Sequence, residues 1–472
     1  MRIIFFAVFL IFLGCSTNSQ NKNRSISNIP PNLDLEQNSS TWIDQVKEIS
    51  KDSVDSGYNA GIAVGVIDES GKQSIYTFGQ MDVAENKAIS KSTIFEIGSI
   101  TKVLTAELLA KFVTKGRVSL DDEVKKFIPE LADSDAGKIT LKELSTHTSG
   151  LPRLPNNINP KDPQNPYYDY TLEQLMSFLK NYKETKAKPY GYNYSNLAVG
   201  LLGQILAMIN SKDYEETLRE EVLAPLNLPM TITLSVDQKN NFATPYSSTS
   251  EKTSHWDIGI LNGAGGVRAT IQEMLHFAQA QLKPESTPLK DAILLTQKIQ
   301  YKGEDAQMGL GWSIRNHVDG FIFSKDGGTG GFSSLILIQP TTGRALTLLS
   351  NSANTIPCLI TYFKKEECKI KKAQSMSLNQ LQRYLGKFES ENGPNVEIVF
   401  SQNKRFLIVD VVNQPPWVLK PESDTVFNFT ELDARIVFPE GNEPIKTLVL
   451  QQNGKDYFYK KLESTLEQNS KR

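Results

Sequence analysis

The spacing of apolar residues divides the chain into a strand–helix–strand unit followed by a run of short strands. Ile43, Val46 and Ile49 predict a short amphipathic helix. Ile62 to Ile67, the turn Asp68-Glu69-Ser70-Gly71 and Ser74 to Phe78 predict a β-hairpin. Val103, Leu104, Leu108, Leu109, Phe112 and Val113 then fall on one stripe of a helix, which Gly116 would stop. Helix starts are signalled by the capping boxes Thr140/Glu143, Thr171/Gln174 and Thr270/Glu273. Residues 149–169, rich in Pro and Asn, predict a long surface loop, and Leu197 to Ile209 is apolar enough for a buried helix. After about residue 309 the pattern becomes that of strands: Gly311 to Ile314, Phe321 to Phe323, Ser333 to Ile338 and Ala345 to Leu349. Strands, helices and strands again predict an α+β unit over residues 41–372. In it an antiparallel sheet, built from both ends and flanked by helices, carries an inserted helical lobe, with a cleft between them for a site. From residue 378 to 463, short runs such as Val396 to Phe400, Phe406 to Val411 and Tyr457 to Tyr459 predict a small all-β barrel or sandwich.

The first forty residues follow another logic. Arg2 precedes an apolar run from Ile3 to Gly14, too short to span a bilayer and ending in Leu13-Gly14-Cys15. This resembles a bacterial lipoprotein signal. The resemblance implies removal of residues 1–14, lipid on Cys15, a flexible tether over 15–40, and a place in the bacterial cell envelope, periplasmic or surface-facing. Outside the cytoplasm, Cys358 and Cys368 could then close a short disulfide loop. The formal net charge is −2 without a sustained basic stretch, which argues against nucleic-acid binding. No Cys/His cluster has metal spacing, so neither metal nor cofactor is expected. The mixed-sign cluster from Lys364 to Lys372 reads as a solvated hinge.

Three short stretches carry chemistry. Ser99 and Lys102, three apart at the start of the predicted helix, share one face. A lysine with its pKa lowered by burial can take a serine proton, and the first-turn N–H groups can stabilise an oxyanion. Tyr194-Ser195-Asn196 enters the apolar helix; a phenol there can exchange protons and Asn196 can hydrogen-bond an amide. Tyrosine at a helix entry with an asparagine cap is the plainer reading of that stretch. Lys325-Asp326-Gly327-Gly328 offers a cation and a backbone open to close approach, or equally a glycine-rich hairpin with a solvated lysine.

In this order, the three stretches resemble the active-site boxes of penicillin-recognising serine hydrolases, nearest to class C β-lactamases and their carboxypeptidase and esterase relatives. Leu144 to Leu151 and Gly328 to Phe332 support the resemblance, which spans about residues 42–352. The last part of the chain resembles a small lipocalin-like domain. The resemblance implies Ser99 as nucleophile, Lys102 as its proton acceptor and Tyr194 as proton shuttle aided by Lys325. It also implies Asn196 on a substrate amide and an oxyanion hole from the N–H groups of Ser99 and Gly328. The substrate would be a small molecule or peptide: a β-lactam, a D-alanyl peptide or a small ester. Asp326 departs from the pattern, which has a hydroxyl or small polar residue there, and would disfavour a substrate carboxylate.

Other classes compete. A Ser-His-Asp hydrolase is disfavoured, because no Gly-x-Ser-x-Gly elbow occurs and His147, His255, His276 and His317 show no paired pattern. A penicillin-binding or envelope-peptide receptor that acylates once would keep the same residues and differ in turnover. A lipophilic-ligand module in the last domain is a third alternative, against which a packed structural barrel is expected.

Overall fold

The computed structural model describes residues 41–184, 190–368, 376–390, 394–401, 406–411, 416–429, 434–441, 444–452 and 454–462. The first predicted helix is α1, Trp42–Asp55, with Thr41 and Asp44 forming a reciprocal cap. The predicted hairpin is β1, Gly61–Ile67, and β2, Gln73–Asp82, in register from Gly61↔Gly79 to Ile67↔Gln73. A short β3, Lys87–Ala88, lies beside β2. β4, Ile94–Glu96, then leads through the turn Gly98–Ile100 into α2, Thr101–Thr114.

The helical lobe follows: α3 (Leu141–Thr146), α4 (Leu172–Asn181), α5 (Asn196–Asn210), α6 (Tyr214–Leu218) and α7 (Val236–Lys239). All three predicted capping boxes are present, at Thr140, Thr171 and Thr270. β5, Arg268–Thr270, pairs with β4 and brings the chain back to α8 (Ile271–Leu282) and α9 (Lys290–Thr296). The remaining strands are β6 (Tyr301–Lys302), β7 (Gln307–Met308), β8 (Ser313–His317), β9 (Gly320–Gly328), β10 (Ser333–Gln339) and β11 (Arg344–Ser350), before α10 (Cys358–Phe363). They complete a nine-stranded antiparallel sheet in the order β3-β2-β1-β11-β10-β9-β8-β7-β6. The β1–β11 pairing joins the two ends of the unit, as predicted.

The sheet is covered on both faces. Ile62, Val64 and Val66 of β1 meet Trp42, Val46, Leu359 and Phe363 of α1 and α10. On the other face α8 packs over β1, β10 and β11. A Cβ on Gly65 would lie 2.7 Å from Thr347 Oγ1 and 3.2 Å from Leu275, so glycine permits this approach.

Two expectations need correction. α2 is not a one-stripe helix: every residue from Thr101 to Ala110 is buried, because α5, α9 and the turn Gly259–Ala264 surround it. Most of its buried polar atoms find partners: Thr105 meets the Tyr214 hydroxyl and Gly263 O, while one Glu107 carboxyl oxygen has none among the described residues. The strand predicted at Gly311 starts at Ser313, because Gly311 holds a φ of +72° in a turn pressed against Lys102 O.

The eight short runs after residue 378 close into an antiparallel barrel: β12 (Gly386–Glu389), β13 (Val396–Phe400), β14 (Leu407–Val411), β15 (Trp417–Pro421), β16 (Val426–Phe429), β17 (Ala434–Val437), β18 (Thr447–Gln452) and β19 (Lys455–Lys461). Tyr384, Phe427 and Phe438 pack ring against ring within its buried core. Outside it, Tyr58 of the larger unit meets Phe406, Ile408 and Val418, with Lys420 Nζ 3.7 Å from the Tyr58 ring centre. Cys358 and Cys368 form the anticipated disulfide. Cys15 and its tether lie outside the described residues. Among the described residues no helix is long and apolar enough to cross a membrane.

Candidate active site

Backbone contact between the sheet and the serine turn builds the floor of the site. β8 pairs with β9 only from Gly320 to Ser324, whereas β10 pairs as far as Gly328. The last residues of β9 therefore present their other edge to the turn Gly98–Ile100. A Cβ on Gly98 would stand 2.8 Å from Gly328 N, and one on Gly327 would stand 2.2 Å from Ile97 O and 3.0 Å from Ser99 N. Side chains at either place would force the two backbones apart. Gly98 also holds a φ of +47°.

Ser99 sits half-buried on this floor. Lys102 Nζ lies 3.0 Å from its Oγ, and the Tyr194 hydroxyl donates to the same Oγ at 2.7 Å. Lys102 is only 1% exposed, and its Nζ also donates to Ala264 O at 2.5 Å. Burial above all, then the charges of Lys325 and Arg153, hold the Lys102 pKa well below the ordinary lysine range. Burial pushes Tyr194 the other way and keeps it a phenol, against the pull of its bond to Ser99. Around the Tyr194 ring stand Lys325 Nζ at 4.7 Å, Lys102 Nζ at 5.0 Å and the Arg153 guanidinium at 5.2 Å from its centre.

The Tyr194-Ser195-Asn196 turn is held from several sides. Ser195, not Asn196, caps α5: its Oγ accepts from Ala198 N and donates to Pro152 O. This corrects the plainer reading and releases the Asn196 side chain. Its Nδ2 donates to the Tyr167 hydroxyl at 3.2 Å, while its buried Oδ1 has no partner among the described residues. His147, in left-handed conformation at the end of α3, accepts from Ser195 N through Nδ1 and from Asn193 N through its carbonyl. Burial and the nearby cations keep its ring neutral. It is a positioning residue. His276 lies on the exposed face of α8.

β9 separates two neighbouring residues by the alternation of a strand. Lys325 is buried and faces Tyr194, whereas Asp326 is exposed. The Asp326 charge nonetheless acts on Lys102, Tyr192 and Tyr194. Ser99, Lys102, Tyr194, Asn196, Lys325, Gly327 and Gly328 thus converge, with Asp326 on the solvent side.

Sequence reading passed over three contributors. Ala264 supplies the carbonyl that receives Lys102, and the run Asn262 to Gly266 was its visible signal. Glu96, just before the serine turn, accepts from Trp256 N at 2.9 Å. Burial pushes its carboxyl up to about 7, with Arg268 across the β4–β5 pair opposing the shift. Arg153, inside the loop predicted over 149–169, had no spacing to mark it.

Comparison with known proteins gives the family. Residues 46–361 match the β-lactamase family model. A β-lactamase of Escherichia coli K12 is 28% identical over 329 residues, covering 62% of this chain and 84% of that protein. The D-alanyl-D-alanine-carboxypeptidase/endopeptidase AmpH of the same organism is 28% identical over 338 residues, covering 64% and 84%. Among solved structures, a class C β-lactamase superposes with a TM-score of 0.61 at 25% identity, covering 68% of this chain and 95% of that one. The family match ends at residue 361, ahead of the barrel. The chain belongs to the β-lactamase family and is a serine hydrolase of that type.

Proposed function

We propose that the protein hydrolyses an ester, a peptide or a β-lactam through an acyl-enzyme on Ser99. The observation that carries this reading is the chain of contacts Tyr194 hydroxyl–Ser99 Oγ–Lys102 Nζ–Ala264 O around a buried lysine. With Lys102 neutral, its lone pair takes the Ser99 proton as Oγ attacks the substrate carbonyl. The N–H groups of Ser99 and Gly328 receive the developing oxyanion. Tyr194, held as a phenol, then passes a proton to the leaving group and regains one from Lys102. Water hydrolyses the ester on Ser99 by the same relay in reverse. Asn196 Oδ1, buried and unpartnered among the described residues, accepts a substrate N–H.

Asp326 bears on substrate choice. Its charge reaches the reacting groups, so a carboxylate on the β9 side of the cleft is disfavoured. Carboxylate-bearing β-lactams are therefore poorer substrates than neutral esters or peptides anchored elsewhere. The proposal also places the chain at a bacterial envelope membrane through lipid on Cys15.

The test is a hydrolysis panel with a chromogenic cephalosporin, a D-Ala-D-Ala peptide and a 4-nitrophenyl ester. Ser99→Ala should lose activity by about 10³-fold or more while remaining folded. Mass spectrometry after a fluorophosphonate should find the adduct on the Ser99 peptide. An adduct elsewhere, or an active alanine variant, would overturn the reading. A single acylation without turnover would favour a receptor.

A further inference from the structure

We propose that Arg153 is a carboxylate anchor for the acyl part of the substrate, so that acyl donors with a negative charge near the scissile carbonyl are preferred. This rests on the acyl-transfer reading above. Its starting point is a cation near the reacting centre that forms no ion pair among the described residues. Arg153 is exposed, and none of the ion pairs among the described residues involves it. Instead its guanidinium lies over the Tyr194 ring, 5.2 Å from the centre. Cation–π contact leaves the N–H fork of a guanidinium available, and that fork matches a carboxylate in bidentate geometry.

The residue is firmly hung. Arg153 O accepts from both Asn196 N and Leu197 N, at 3.0 and 3.2 Å, and the preceding Pro152 O accepts from Ser195 Oγ. The Arg153 backbone is therefore tied to the turn that presents Tyr194 and Asn196, and the Tyr194 ring supports its guanidinium. Such fixing reduces the ordering cost of binding. The reach of its charge is visible in its neighbours, since it acts on Lys102, His147, Tyr167 and Tyr194.

The cleft is thereby polarised. The lobe contributes Arg153, over the Tyr194 ring, and Asn196 Oδ1, which has no partner among the described residues, and the sheet contributes exposed Asp326 next to buried Lys325. A substrate N–H on Asn196 directs the acyl chain toward Arg153, whereas a carboxylate on the other side of the scissile bond would meet the field of Asp326. The ligand class is an ester or peptide whose acyl half carries a carboxylate.

The full-length protein in mild detergent can be tested with matched 4-nitrophenyl esters: the adipate monoester against hexanoate, and 3-carboxyphenylacetate against phenylacetate. The readout is the ratio of kcat/KM, acidic over neutral, at one pH. The wild type should favour the acidic member of at least one pair by about tenfold, the scale of one well-placed ionic contact. Arg153→Ala should abolish the preference through KM, Arg153→Lys should restore most of it, and Arg153→Glu should invert it. Added salt should weaken it. An unchanged ratio in both Arg153→Ala and Arg153→Glu, with neutral esters still turned over, would overturn the anchor alone. Failure to turn over any ester, with Ser99 unlabelled, would instead overturn the acyl-transfer reading and the anchor with it.

Discussion

In the proposed mechanism Lys102 serves as a base because the fold denies it water. Its pKa is held down first by burial and next by Lys325, so the two lysines are linked although only one is asked to take a proton. The sign follows directly. The proposed mechanism needs neutral Lys102, so kcat/KM should rise with pH through the Lys102 pKa and form the acid limb of the profile. Lys325→Met removes a positive charge beside it, which makes protonation of Lys102 easier and raises its pKa. The acid limb should therefore move to higher pH, whatever happens to the plateau. A pH profile of kcat/KM on a neutral ester checks this; a limb left in place, or moved down, would show that Lys102 is not the group being titrated. Tyr194 does not form that limb, since burial raises its pKa and keeps it protonated.

At the scale of elements, the site depends on how closely β9 approaches the serine turn. Gly327→Ala would put a Cβ 2.2 Å from Ile97 O and 2.4 Å from Ser334 Oγ. Relief requires β9 to move, at a cost of about 1–3 kcal/mol in stability. Melting temperature should fall and kcat/KM should fall with it. Gly328→Ala, whose Cβ meets nothing closer than 3.8 Å, should leave the melting temperature nearly unchanged. Equal melting temperatures for the two variants would refute the close-approach argument. Capping boxes, the β1–β2 hairpin and the apolar α5 were legible because each is a local pattern, and so were three ordered boxes. Burial of α2 on every side was not legible, because its coverage comes from α5, α9 and Gly259–Ala264, all remote in sequence. Ala264 meets Lys102 through a carbonyl, marked in the sequence only by the small-residue run around it, and Arg153 lies over Tyr194 as an exposed side chain with no spacing to read. Asp326 was visible as a departure, but which way it faces was decided by strand register.

On the scale of the molecule, one prediction concerns where the chain resides. Acyl chains on Cys15 would hold the folded units at a membrane surface without a spanning helix. Cys15→Ser should move the protein from the membrane fraction to the soluble fraction or to unprocessed precursor. Unchanged membrane association without detectable lipid would count against that anchor. Such tethering bears on the α1–α10 contact. The hydrolase unit begins at α1 and ends at α10, and these helices lie side by side, with Trp42 and Phe363 ring to ring at 5.6 Å. In mechanical terms the catalytic unit is a loop closed at its base. Tension between a lipid at one end and the barrel at the other would load the seam between α1 and α10 before it reached the sheet. Under such tension the Cys358–Cys368 bond would carry a pull from the barrel side to the first residue of α10 and bypass the residues between. Such a pull would meet α10 at its start, while the barrel's contact with Tyr58 would offer it a second route into the larger unit.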